Sequence, residues 1–213
     1  MKKYTLSLPH PPRHNSILRW WLPALAFTVL VPLCYVGILP GQPWHRIADF
    51  IGHTINTAII VATFIVVGVT AYRRRGTPSA SLAWWMLDTP LVMVLLGDIW
   101  KLLVHAPRPD HRAAMDGFPS GHTMAAFALA YVVTEIDPRL GVLWYIIAAA
   151  MGWSRVECGA HYPYQVIIGA LMGIAMGTAV CHLAKGVLAP RLYHWLRARR
   201  QRPKINLDTR PET

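Results

Sequence analysis

Apolar residues run through this chain in long blocks flanked by Pro, Gly or charge. A helix that crosses a bilayer needs roughly 20 mostly apolar residues. Four blocks reach that length outright: Trp20 to Leu39, Ile55 to Tyr72, Leu82 to Val104 and Val166 to Leu188. Two more, Ser120 to Ile136 and Leu140 to Glu157, reach it once their polar ends are counted inside the helix, where those groups must face protein or water. The pattern predicts an all-α, polytopic membrane protein with a six-transmembrane-helix bundle over residues 20–188. Basic, Pro-rich tails occupy 1–19 and 189–213. The stretch Gly41 to Gly52 reads as a connecting loop. The first block reads as a retained helix, since no small-x-small cleavage pattern follows it.

Composition agrees: 54% of the 213 residues are hydrophobic and only 15% are charged, which excludes a disordered or solenoid chain. The formal charge of +11 is explained by topology. With both termini cytoplasmic, the tails and inner loops, including Arg73, Arg74, Arg75, Arg139 and Lys185, hold 16 of the 21 Lys and Arg. Arg46, Lys101, Arg108, Arg112 and Arg155 are left outside. Nucleic acid is therefore not the expected partner; the bilayer is. Trp20, Trp21, Trp84, Trp85 and Trp144 fall near inner ends and Trp100 and Trp153 near outer ends, as an interfacial belt would place them. Cys34, Cys158 and Cys181 are too scattered for a disulfide framework or a zinc site. Gly169, Gly173 and Gly177 form a small-xxx-small ridge that packs within the bundle, with a homodimer through it as the alternative.

Polar groups concentrate at the outer helix ends. Lys101 has Asp98 three residues earlier, so it reads alone as a snorkelling, paired lysine. Ser120 reads as an N-cap, and with Gly121 and His122 it opens a helix whose first N–H groups can receive an anion. Arg155 is costly at its depth unless it meets an anion. Three basic side chains, a helix start and two histidines suit phosphate binding and transfer with no metal or other cofactor. One histidine attacks phosphorus while the other handles the leaving-group proton.

Lys101-x6-Arg108-Pro109, Pro119-Ser120-Gly121-His122 and Ser154-Arg155-x5-His161 resemble, in order and spacing, the three signature motifs of the type 2 phosphatidic acid phosphatase (PAP2) superfamily. The resemblance implies a metal-independent phosphatase of lipid phosphate monoesters or diphosphates, working at the outer membrane face. It implies that Lys101, Arg108, Ser120, Gly121 and Arg155 bind the phosphoryl group. His161 is then the nucleophile that becomes phosphohistidine, and His122 serves as acid and then base. One position departs from the pattern: Gln165 stands where the family has an Asp supporting the nucleophile. Its amide oxygen can fix the imidazole tautomer but brings no negative charge. Glu157, Asp110 and Asp116 are the carboxylates able to substitute, while His105 and His111 read as ordinary exposed residues. A lipid phosphotransferase and a catalytically impaired phospholipid-binding homologue are the alternatives. The expected setting is a bacterial inner membrane, with the site facing the periplasm.

Overall fold

The structure, a computed structural model, describes residues 14–36, 42–73, 89–109, 115–188 and 194–195. Seven α-helices account for most of them: α1 (His14–Val36), α2 (Gln42–Phe50), α3 (Asn56–Arg73), α4 (Thr89–Leu103), α5 (Gly121–Ile136), α6 (Pro138–Glu157) and α7 (Pro163–Leu183). One π-helical turn, Ile51–Ile55, joins α2 to α3, and another, Ala184–Leu188, extends α7. The described residues carry no strand, only an isolated bridge between Ala106 and Asp116.

The central helix is α5. Its residues from Ala126 to Thr134 are all buried, with Phe127, Ala128, Ala130, Val132 and Val133 fully so, and α3, α4, α6 and α7 pack around it. The outer helices turn large apolar side chains outward, among them Leu25, Val29, Phe64, Ile65, Leu102 and Ile146. The turn from α5 to α6 is tight because Asp137 ends one helix and caps the next. Its carboxylate accepts from the Arg139 N–H at 2.9 Å, and Pro138 sits in the first helical position, where a missing N–H costs nothing.

The glycine ridge of α7 is spent on α5. A Cβ on Gly169 would lie 2.8 Å from Ser120 O, one on Gly177 would lie 3.0 Å from Ala128 O, and one on Gly173 would collide with Met124 O. The ridge is therefore inside the bundle and offers no surface for the homodimer. Gly173→Leu should destabilise the fold by about 1–3 kcal/mol or more, because the obstructing atoms are backbone and cannot step aside. Thermal unfolding in detergent checks this, with Gly68→Ala as the silent control, since nothing lies within 4 Å of a Cβ there.

Several expectations change. The 41–52 stretch is helical over Gln42–Phe50 rather than a loop, with Ile47 and Phe50 exposed. Trp144 and Trp153 are buried against the protein, and Trp144 Nε1 donates to Thr63 Oγ1 at 2.8 Å, joining α6 to α3. Among the described residues, Pro163–Gly186 is the one helix long and apolar enough to cross a membrane on its own. The apolar stretches Trp21–Cys34 and Thr57–Thr70 are shorter, and Leu82 to Asp88, the start of the third expected span, lies outside the described residues. At the opposite end from the polar cluster, Lys185 pairs with the buried Glu135.

Candidate active site

Local geometry explains the five-residue gap between Arg155 and His161. Gly159, in the left-handed region at φ 66°, turns the chain back after α6. The Ala160 and His161 N–H groups then both donate to Arg155 O, at 3.1 and 3.0 Å. A helix end thus becomes a clamp that holds the histidine against the arginine. A similar stitch joins the other motifs: Gly117 N donates to Ala106 O at 2.9 Å, and Ser120 N donates to Gln165 O at 3.1 Å. The second of these brings the start of α5, with Gly121 and His122, against the start of α7.

His161 is buried, at 3% exposure. Its Nδ1 lies 2.9 Å from Gly117 O and 3.2 Å from Gln165 Oε1. Both oxygens can only accept, so Nδ1 carries the proton and Nε2 carries the lone pair. Burial pushes the imidazole pKa down to about 4; Arg108 and Arg155 push the same way, against the two hydrogen bonds. Among the described residues, no carboxylate is one of the groups acting on it. The unfolded chain takes up a proton near pH 6.5 that the native site refuses, so this stability is present above pH 6.5 and lost as the pH falls toward about 4. The loss amounts to about 3 kcal/mol at 1.36 kcal/mol per unit. The unfolding midpoint should fall over that window in the wild type and fall less in His161→Gln.

Gln165 is fully buried and works on both sides of its amide. Oε1 accepts from His161 Nδ1 and from Tyr162 N at 3.1 Å, the latter as the third residue of a capping box at the start of α7. Nε2 donates to Pro107 O at 2.9 Å and to Tyr164 OH at 3.2 Å. Only this amide orientation satisfies all four partners. A Cβ on Gly117 would lie 2.7 Å from Gln165 Nε2, so glycine is what lets the two loops meet.

The cations are partly committed. Arg108 holds Asp116 in a two-pronged pair, Nε to Oδ1 at 2.7 Å and Nη2 to Oδ2 at 3.0 Å, and this keeps the Asp116 carboxyl below the usual range. Lys101 Nζ donates to Asp98 Oδ1 at 2.9 Å, as the i,i+3 spacing foretells. Arg155 is buried, and the π-helical turn after α2 covers it: a Cβ on Gly52 would lie 2.6 Å from Arg155 Nη1 and 3.5 Å from Ser154 Oγ. Ser120 occupies the N-cap position, but its hydroxyl bonds Thr123 Oγ1 at 3.0 Å and makes no backbone cap, a correction to its expected role.

Of the carboxylates considered as supports for His161, Asp116 belongs to Arg108, and Asp110 lies outside the described residues, as does His111. His105 is exposed. Sequence reasoning missed Gly52, Pro107 and Gly117. No local spacing flags them, because each matters through a residue far along the chain.

The bundle and site define a class: an all-helical protein in which a buried neutral histidine sits in the field of two guanidinium groups beside a helix start. Within that class, the chain matches the PAP2 superfamily over residues 80–188, more than half its length, and belongs to it. It is 32% identical over 122 residues to a lipid A 1-phosphatase of Rhizobium etli, covering 49% of this chain and 52% of that one. It is 26% identical over 167 residues to phosphatidylglycerophosphatase B of Bacillus subtilis, covering 70% and 78%. The chain spans about half the length of the lipid A 1-phosphatases of Rhizobium that it matches. Its fold resembles the crystal structure of a transmembrane PAP2 type phosphatidylglycerolphosphate phosphatase from Bacillus subtilis, with a TM-score of 0.57 and 21% identity over 82% of this chain and 96% of that one.

Proposed function

We propose that this protein is an integral membrane phosphatase that hydrolyses lipid phosphate monoesters or diphosphates through a phosphohistidine on His161. The observation that carries this reading is the state of His161: neutral, with its Nδ1 proton held by Gly117 O and Gln165 Oε1 and the Nε2 lone pair available. Membership of the PAP2 superfamily and the lipid phosphatases among its relatives support it.

In the first step Nε2 forms a bond to phosphorus and the P–O bond to the lipid breaks. His122 gives a proton to the departing oxygen. Arg108 and Arg155 neutralise the phosphoryl oxygens, joined by the backbone N–H of Gly121 and by Ser120 and Lys101. Asp116 occupies Nε and Nη2 of Arg108, so Nη1 is the edge offered to the phosphoryl group. The phosphoimidazolium keeps its Nδ1 proton on Gly117 O and Gln165 Oε1. Water then attacks phosphorus, His122 takes its proton, the N–P bond breaks, and phosphate leaves. No step calls for a metal.

The same reading places six helices across a bacterial inner membrane, with 20–188 as the catalytic domain, basic tails 1–19 and 189–213 in the cytoplasm, and the site at the periplasmic face. It draws on the distribution of Lys and Arg along the chain. A second reading, a homologue that binds lipid phosphate with impaired turnover, draws on the neutral Gln165.

Phosphate release from phosphatidic acid, phosphatidylglycerol phosphate, a polyprenyl diphosphate and lipid A in mixed micelles with chelator separates the two. Turnover supports the phosphatase. Lipid binding without turnover supports the second reading.

A further inference from the structure

The short strap from Asp116 to Ser120 touches all three motifs of the site. At one end the Asp116 carboxylate grips Arg108, accepting from Nε at 2.7 Å and from Nη2 at 3.0 Å. The next residue, Gly117, accepts from His161 Nδ1 at 2.9 Å through its carbonyl, and its own N–H donates to Ala106 O, two residues before Arg108. At the other end Ser120 N donates to Gln165 O, and α5 begins. We propose that Asp116 is a positioning residue: it holds the Arg108 guanidinium in place relative to His161, so that the arginine meets the phosphoryl group where the imidazole attacks it. The proposal rests on the phosphatase reading above and adds the residue that aligns one of its cations with its nucleophile.

Three features point to that role. A guanidinium on a long, flexible side chain loses rotamer freedom when it binds an anion, and a two-pronged carboxylate pair settles its orientation before substrate arrives. The carboxylate that fixes the arginine and the carbonyl that fixes the imidazole also stand on consecutive residues, whose Cα atoms are only about 3.8 Å apart. The strap cannot drift from the Arg108 segment: a Cβ on Gly117 would lie 2.5 Å from Pro107 O and 3.0 Å from Ala106 O, and Ala106 and Asp116 form a bridge. Finally, the charge of Arg108 is felt at His161 and that of Lys101 at Asp116, so the pair stands inside the field of the site. Stability does not account for it, because the Asp116 side chain is 43% exposed and such pairs add little to folding.

Asp116→Asn keeps the shape and loses the charge and one acceptor. Asp116→Glu keeps the charge and both acceptors, and the exposure of the side chain gives it room to reach Arg108. Purified full-length protein is assayed in mixed micelles for phosphate release from a phosphatidic acid and for inhibition by inorganic phosphate. In Asp116→Asn, kcat/KM should fall by roughly 10–100-fold, the usual cost of losing a partner that orients a working group. Inorganic phosphate should inhibit it about tenfold more weakly, as when a hydrogen bond to a charged group is lost. Asp116→Glu should recover most of both, and the unfolding midpoints of both variants should stay close to that of Gly68→Ala. A purely structural strap residue gives the reverse order, since the isosteric Asn disturbs packing least. Wild-type activity in Asp116→Asn, or equal impairment of the two variants, would overturn the proposal. Tighter inhibition by phosphate in Asp116→Asn would overturn it too, by making Asp116 a competitor for Arg108 instead of its anchor.

Binding of inorganic phosphate, read as the rise it produces in the unfolding midpoint, needs no turnover. The rise should be smaller in Asp116→Asn than in the wild type and in Asp116→Glu. An equal rise in all three overturns the anchor. Weaker binding in Asp116→Asn, in a protein that releases no phosphate from any lipid, keeps the role of Asp116 and removes the phosphatase.

Discussion

His161→Ala is expected to abolish phosphate release and to eliminate the acid-labile phosphoenzyme formed from a radiolabelled lipid phosphate. Loss of the nucleophile in a covalent hydrolase costs about 10⁶-fold in kcat, far below detection in a lipid assay. The expectation follows from the geometry. His161 is the buried imidazole whose protonated nitrogen is fixed on two oxygens, and its position against Arg155 is set by backbone hydrogen bonds that the substitution leaves in place. The phosphate pocket should therefore survive, and the variant should still bind inorganic phosphate or a lipid phosphate. Full turnover by His161→Ala would sink the covalent mechanism. Loss of both turnover and phosphate binding would show that the substitution had undone the pocket. In the wild type, the acid limb of kcat/KM reports the free enzyme. It should lie well below pH 6.5, since His161 remains unprotonated down to about pH 4.

Gln165→Glu should move that acid limb upward by about 1–2 pH units, because a carboxylate beside Nδ1 favours the imidazolium, as opposite charges within a few ångströms do. It should also cost stability. The Glu carboxylate cannot donate to Pro107 O, so a buried carbonyl loses its partner and faces a charge, a penalty of about 1–3 kcal/mol. Gln165→Ala removes the acceptor without adding charge. It should lower kcat by roughly 10–100-fold, the usual cost of losing a residue that orients a reacting group, while the limb moves down, opposite to Gln165→Glu, because the lost hydrogen bond held the imidazole pKa up. The combination separates positioning from bulk: a merely structural Gln165 would change stability in both variants and leave the pH profile alone in both. Gln165→Asp brings a shorter side chain and should not span both His161 and Pro107. This glutamine is thus a two-sided clamp suited to its loops, and a carboxylate there would forfeit one of its sides.

Much of the architecture is legible along the chain because it rests on local patterning. Apolar blocks foretell α1, α3 and the helices that follow. Asp137 and Pro138 mark the break between α5 and α6, and the four-residue spacing of Gly169, Gly173 and Gly177 foretells a close helix contact. The Lys101–Asp98 pair is legible for the same reason, since residues three apart share a helix face. The candidate chemistry is legible as three short motifs in order. Where local signals are ambiguous the reading goes astray. The 42–50 segment is too polar to register as an apolar block, yet it folds as a helix whose partners lie on α6. The partner of Trp144 is not announced either: its indole N–H finds Thr63, 81 residues away, and is buried.

By itself, then, the sequence determined the helical class, the packing ridge and the motifs that mark the candidate site, since periodicity and spacing are properties of neighbours on one chain. Only the tertiary structure decided how the residues of those motifs are set against one another. The tautomer of His161 depends on Gly117, 44 residues away, and the clamp of Gln165 on Pro107, 58 residues away. The setting of Arg155 depends on Gly52 in a turn that no motif announces. Hydrogen bonds and excluded volume between distant segments arise from how helices pack, and no pattern within either segment encodes them.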